Sequence, residues 1–386
     1  MTEIKHTVKE PLFHVVKREG LPLWKTLLVY GVAIVFGLLV VSVFCAICSE
    51  DVNNPIEMFT SMFSGAFGTE RRIWLFLRNG AMLLGVSLAL LPAFRMKFWN
   101  LGANGQIVIS CLVCYALLIW GRDTGASNAV VVMLMIVLGV GAGVVWAVLP
   151  AVFKAFFGTN ETLFTLMMNY IAQGLVTVMI TVWAPTGSGS LSPIDDYGLP
   201  VIGNAYLLPI IVITLITVFM FFYLSRSKHG YELAVVGESE KTARYAGINV
   251  KAVTIRTLVL SGAVCGIVGV LLAGAVNHNV STASHDNMGF TAIMTSYLAG
   301  FNPIVTIATS FLITFISVGM GQVRQDFGFY NDAIANVALG MVYFFIIACY
   351  FFINYKLVFK NSKKPDEIAF IVNNKKPADG GKEDKA

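Results

Sequence analysis

Charge is what this chain of 386 residues has least of. Asp, Glu, Lys and Arg together make up 13% of it, against about a quarter in soluble domains. That deficit excludes an ordinary water-soluble fold. Acids are scarcer still inside the apolar runs, where Glu161 stands only at the end of one. A membrane protease or transferase needs Ser/Asp/His or paired carboxylates at membrane depth, so catalysis by this chain is not expected. A proton-coupled carrier places Asp, Glu or His near the midplane, and none stands well inside a run, which suits an uncharged substrate. No G-x-x-x-x-G-K-[ST] loop and no strand-embedded G-x-G-x-x-G occurs, so the chain has no phosphate cradle of its own. The five His have no metal-ligand spacing, and the two C-x-x-C pairs (Cys45/Cys48, Cys111/Cys114) lie in apolar runs without further ligands. They read as soft apolar filler rather than as zinc or redox sites. No cofactor or metal is expected on the chain. No soluble basic domain is present to bind nucleic acid.

What is present is apolar length. Hydrophobic residues make up 56% of the chain, gathered into runs of about 20 residues that read as transmembrane helices. The spans expected are 26–47, 73–94, 100–120, 129–153, 161–183, 205–224, 254–276, 288–301, 304–323 and 330–353. The fold class is therefore an all-α polytopic membrane protein of about ten helices. Residues 1–25 form a charged lead-in, 26–353 the membrane domain, and 354–386 a Lys-rich tail expected to be disordered. No small-residue cleavage site follows the first run, which reads as an uncleaved span. The run 288–301 is too short for one straight crossing and suggests a broken or re-entrant piece, preceded by the polar segment NHNVSTASHDN (277–287).

The distribution of Lys and Arg orients the chain. Arg71, Arg72, Arg122 and Arg324 fall between spans on one side, and Arg78 falls early in the second span. All the others lie in the two terminal segments, the RMKFW turn (95–99), the turn at Lys154 and the insert 225–256. The positive-inside rule then places both termini and that insert in the cytoplasm. Arg78 lies near the outer end of its span and reads as snorkelling to the interface. Within the insert, 241–250 (KTARYAGINV) can form a short helix with Ala243, Ala246 and Gly247 clustered, a small-residue surface suited to docking in a partner's groove. Glycines at 139, 141 and 143, and the Gly262/Gly266 pair, read as close helix-packing positions.

Four ordered segments carry a resemblance. They are N-L-G-A-N-G-Q (100–106), T-N-E-T-L-F-T-L-M-M-N-Y-I-A (159–172), G-E-S-E-K-T-A-R-Y-A-G-I-N-V (237–250) with L-S-G-A-V-C-G-I-V-G (260–269), and G-F-T-A-I-M-T-S-Y-L-A-G-F-N-P (289–303). The chain resembles permeases of ABC importers for nucleosides and simple sugars, in the ribose/branched-chain superfamily, with the nucleoside type the nearer match. It departs at Asn104, where that pattern carries Glu, and the A-x-x-x-G at 243–247 matches the coupling signature of other importers only in part. The resemblance implies a type II-like permease in a prokaryotic plasma membrane. It implies two ATPase partners that bind the ATP, a second and usually different permease, and an extracytoplasmic substrate-binding (lipo)protein. It places ATPase coupling at Gly237, Glu238, Ala243, Arg244, Ala246 and Gly247. Asn104, Gln106, Asn169, Tyr170 and Asn302 become candidates for the substrate path, offering hydrogen bonds without charge; the alternative for each is interhelical packing. A permease for ribose-like sugars and a stand-alone secondary carrier remain the competing readings.

Overall fold

The computed structural model describes residues 13–17, 23–48, 55–184, 191–282, 284, 286–329 and 333–359. The regular elements among the described residues are helices apart from one short ribbon, and eight of the helices are long and apolar enough to cross a membrane. The chain divides into two units, 41–340 and the pairing of 1–40 with 341–386.

In the smaller unit, the strand β1 (Phe13–Lys17) begins the described chain and α1 (Leu23–Cys48) follows. The unit closes with a late helix over 333–354 and the strand 355–359, which pairs antiparallel with β1, Phe13 opposite Phe359 and Lys17 opposite Tyr355. Phe36 meets Phe345 edge-to-face at 5.0 Å, and Gly37 lets the helix backbone at Val342 approach. The ribbon is a short addition to an otherwise helical set of elements, and its second strand lies within the segment 354–386 that the sequence suggests is a disordered tail. Residues 1–12 and 360–386 lie outside the described residues.

The larger unit opens with α2 (Pro55–Phe67), a 13-residue helix inside what the sequence suggests is an outer loop (48–72). Met58, Met62 and Ala66, four apart, form its buried stripe. The long helices α3 (Glu70–Arg95) and α4 (Ala103–Thr124) follow. α5 (Asn128–Leu134), a π-turn over Met135–Gly139, and α6 (Val140–Phe157) make one continuous span. α7 (Glu161–Trp183) and α8 (Leu207–Arg226) come next. They turn Leu163, Met167, Ile171 and Val178, and Leu215, Phe219 and Phe222, to the outside. Such a surface suits lipid and would be a liability in water.

The polar insert folds into two helices rather than one. α9 (Lys228–Glu238) starts where Ser227 Oγ accepts from Gly230 N at 3.0 Å. α10 (Glu240–Tyr245) starts where Ser239 Oγ accepts from Thr242 N, each serine satisfying an orphan N–H of the first turn. The expected 241–250 helix therefore stops early: Gly247 takes a left-handed φ of 79°, and Asn249 caps the next helix. That helix is α11 (Val250–Leu271), prolonged by a π-turn through Asn277. α6 and α11 pack where Gly143 meets the backbone of Gly262 and Gly266, too close for any Cβ. Four of the five glycines read as packing positions do pack (139, 143, 262 and 266), because small residues let helices approach without a hydrophobic drive, while Gly141 has nothing within 4 Å of where a Cβ would stand.

The last elements are α12 (Met288–Leu298), α13 (Pro303–Asp326) and α14 (Ala333–Asn354). α13 runs along α2 and α3, with Phe315 against Phe63 and Gly319 against Met62. α12, with 11 residues, spans about 16 Å and falls short of the roughly 30 Å of a bilayer core.

Candidate functional site

The two ends of the larger unit can be told apart by their bonds. At one end Arg95 donates from Nε to Phe301 O (3.0 Å) and from Nη1 to Leu224 O (3.3 Å), and Gly237 lies directly on the Arg95 carbonyl. At the far end Ile194 N donates to His278 O, Leu199 N to Gly274 O, and Asn128 pairs with both backbone groups of Gly198. Residues 278 to 301 therefore carry the chain from the far end back to the Arg95 end. Among the described residues of that stretch, only 288–298 are helical. The piece expected at 288–301 is thus a short helix preceded by irregular backbone, the broken arrangement its length suggests.

Irregular backbone at membrane depth is tolerated where it lines a cavity, and here a cavity of about 470 Å³ adjoins it. The wall from α3 supplies Arg78, Asn79, Met82 and Leu83. Asn277 ends the π-turn, and the irregular segment after it supplies Asn279, Ser281, Ser284 and Asp286. α13 contributes Ile313, Thr314 and Ser317. About half of the lining is amide and hydroxyl and most of the rest is apolar, with one guanidinium and one carboxylate, so it carries no net charge. Asp286 and Asn287 hold left-handed φ angles of 43° and 51° just before α12, a conformation that Asn and Asp adopt more readily than most residues.

Arg78 lies about 12 Å along α3 from Glu70. Its Nε and Nη2 both donate to Asn79 Oδ1, at 3.2 and 3.1 Å, and the guanidinium sits 5.5 Å from the Tyr206 ring centroid. It stands on the cavity wall, where the sequence suggests a side chain reaching for the interface.

The five residues that the sequence suggests for a substrate path lie outside this cavity. Asn104 and Gln106 are buried near the start of α4. Asn104 Oδ1 accepts from Gly289 N at 2.7 Å, across 185 positions, and Gln106 Nε2 donates to Asn100 Oδ1. Asn169 donates to Leu101 O (2.7 Å) and accepts from Gly105 N (2.8 Å), fastening α7 to α4. Tyr170 is 60% exposed on the outer face of α7. Asn302 caps α13 by accepting from Ile304 N. None of the five lines the cavity. Five of the residues that do line it stand in the polar run 277–287, ahead of an apolar piece too short to cross, which is the mark of a discontinuous helix.

At the Arg95 end, α9 and α10 form a second feature. Glu238, Arg244, Ala246 and Gly247 are exposed and Tyr245 is 92% exposed, while Gly237 and Ala243 are buried behind them. Arg256 donates to Glu232 at 2.7 Å and so tethers α9 to α11. That bond, with smaller help from His229 and Lys228, holds the Glu232 carboxyl below its usual range. A groove of about 440 Å³ runs beside α10 between the 96–98 turn and the 154–161 turn, where Lys154 pairs with Glu161 at 2.8 Å.

The pattern of the family described as "Branched-chain amino acid transport system / permease component" matches residues 73–353, nearly three-quarters of the chain and every wall of the cavity. This chain belongs to that permease family. The permease is similar to the guanosine ABC transporter permease protein NupP of Bacillus subtilis (strain 168), 24% identical over 340 residues that cover 84% of this chain and 94% of the relative. The nucleoside ABC transporter permease protein NupB of Lactococcus lactis subsp. cremoris (strain MG1363) is also 24% identical, over 84% of this chain and 91% of its own. The glucose ABC transporter permease protein TsgB13 of Haloferax volcanii is 22% identical over 79% of this chain and 83% of its own. No solved structure matches. With its apolar helices and this family, the permease is a multi-pass membrane protein of ABC transport.

Proposed function

We propose that this permease forms the membrane path of an ATP-driven importer for nucleosides, purine nucleosides among them. The observation that carries the reading is the polar, net-neutral cavity beside a broken span, in a chain similar over most of its length to guanosine and nucleoside permeases. A nucleoside is uncharged and rich in hydroxyl and amide-like groups, which the amides and hydroxyls of this lining can match. The Arg95 end, with the basic insert, faces the cytoplasm, as do both termini, following the bias of Lys and Arg. There α9 and α10 meet one of two ATPase subunits, which bind ATP; a second permease completes the path, and an extracytoplasmic binding protein delivers substrate at the far end. Closure of the ATPases moves α9 and α10, and with them Arg95 through its contact with Gly237.

The test is reconstitution into vesicles with and without the ATPases and binding protein, following labelled guanosine, inosine and ribose. Uptake is expected only with the partners and ATP, and with nucleosides rather than ribose. Ribose uptake in place of nucleosides would move the assignment to the sugar branch. Gradient-driven uptake by the permease alone would overturn the ABC mechanism.

A further inference from the structure

We infer that Arg78 reads the base of the passing nucleoside and favours bases that turn a carbonyl oxygen to it, hypoxanthine and guanine, over adenine. The inference rests on the nucleoside reading and adds selectivity to it. An arginine in a membrane-spanning helix is expensive and finds a use where it faces a polar cavity. Here the guanidinium is held on two sides: Nε and Nη2 are fastened to Asn79 Oδ1, and its face lies near the Tyr206 ring. That leaves the Nη1 pair and the second Nη2 hydrogen, in the fixed fork of an arginine. Asn79 spends its oxygen on Arg78 and keeps its Nδ2 hydrogens, so polar groups on the α3 wall present donors alone.

A donor-only wall discriminates between bases by elementary pairing. The six-position oxygen and N7 of hypoxanthine or guanine are adjacent acceptors that match an arginine fork, whereas adenine puts an amino donor at the six position. Asp286, the acid among the lining residues, supplies the opposite polarity from the irregular segment before α12 and accepts from the N1–H that oxo-purines carry and adenine lacks. Lysine would keep the charge without the fork.

Inosine and adenosine make the clean comparison, since they share the ribose and differ in the six-position group and the N1 proton. With permease, ATPases and binding protein reconstituted in vesicles, initial uptake of each is measured and divided by its loading on the binding protein. Wild-type permease is expected to favour inosine, and Arg78→Met to lower the inosine-to-adenosine ratio on the order of tenfold, the worth of one bidentate pair. Arg78→Lys should fall between. If Arg78→Met fails to assemble, Arg78→Lys and Tyr206→Leu carry the same comparison, each expected to lower the ratio. An unchanged ratio in the variants that transport would overturn the role of Arg78 while leaving the nucleoside reading intact. Absence of uptake of any nucleoside by wild-type importer would remove both.

Discussion

Asn104 shows how one amide can hold a broken span together. α12 starts at Met288 after Asn287, whose left-handed backbone makes no side-chain cap. The first-turn donor at Gly289 is instead satisfied by Asn104 from α4, and Gly289 has no Cβ because that oxygen occupies the space. The related pattern carries Glu where this chain has Asn, and either side chain offers the acceptor the contact needs. Asn104→Leu leaves a buried N–H unpaired, at a cost of about 1–3 kcal/mol. It is expected to lower the midpoint of thermal unfolding in detergent and to weaken uptake, while Asn104→Asp, which keeps an acceptor at a helix N-terminus, loses less. Equal midpoints for the Leu variant and wild type would show that the contact holds nothing.

At the scale of elements, the insert between α8 and α11 is a pair of capped helices with a division of labour. Gly237 and Ala243 face inward, the first against Arg95, while Arg244, Tyr245 and Ala246 face out. A phenol ring that is 92% exposed next to an arginine is the composition of an interface anchor. Tyr245→Ala is expected to weaken co-purification of the ATPase at least tenfold without changing membrane insertion. Full association would move docking away from α10. Gly247 is the poorer probe: its φ of 79° means any side chain there strains the turn before it blocks a partner. α2 teaches the converse. Its buried stripe at 58, 62 and 66 has helical spacing, yet the mixed charges around it read as a loop, and only the fit of Met62 to Gly319 on α13 makes it an element.

At the scale of the whole molecule, the sidedness proposed from the charge bias is checked by labelling. A cysteine replacing Asp123, exposed at the far end of α4, is expected to react with an impermeant maleimide in right-side-out vesicles. One replacing Tyr245 is expected to react only after lysis. The reverse pattern would invert the orientation and with it the direction of transport. Most spans, the packing role of four of the five glycines and the polar insert were legible in the residues, because apolar length and charge bias are properties of the chain itself and the bilayer reads them directly. The site was legible only in outline. The polar run 277–287 and the short apolar piece after it announce a discontinuous helix, but whether Asn169 faces a pore or fastens α7 to α4 depends on partners dozens of positions away. Hydrophobic length thus determined that this protein lives in a membrane and where it crosses. Which polar side chains face the cavity, Arg78 among them, was decided by tertiary packing, since a buried amide serves as a brace or as a ligand according to what stands within 3 Å of it.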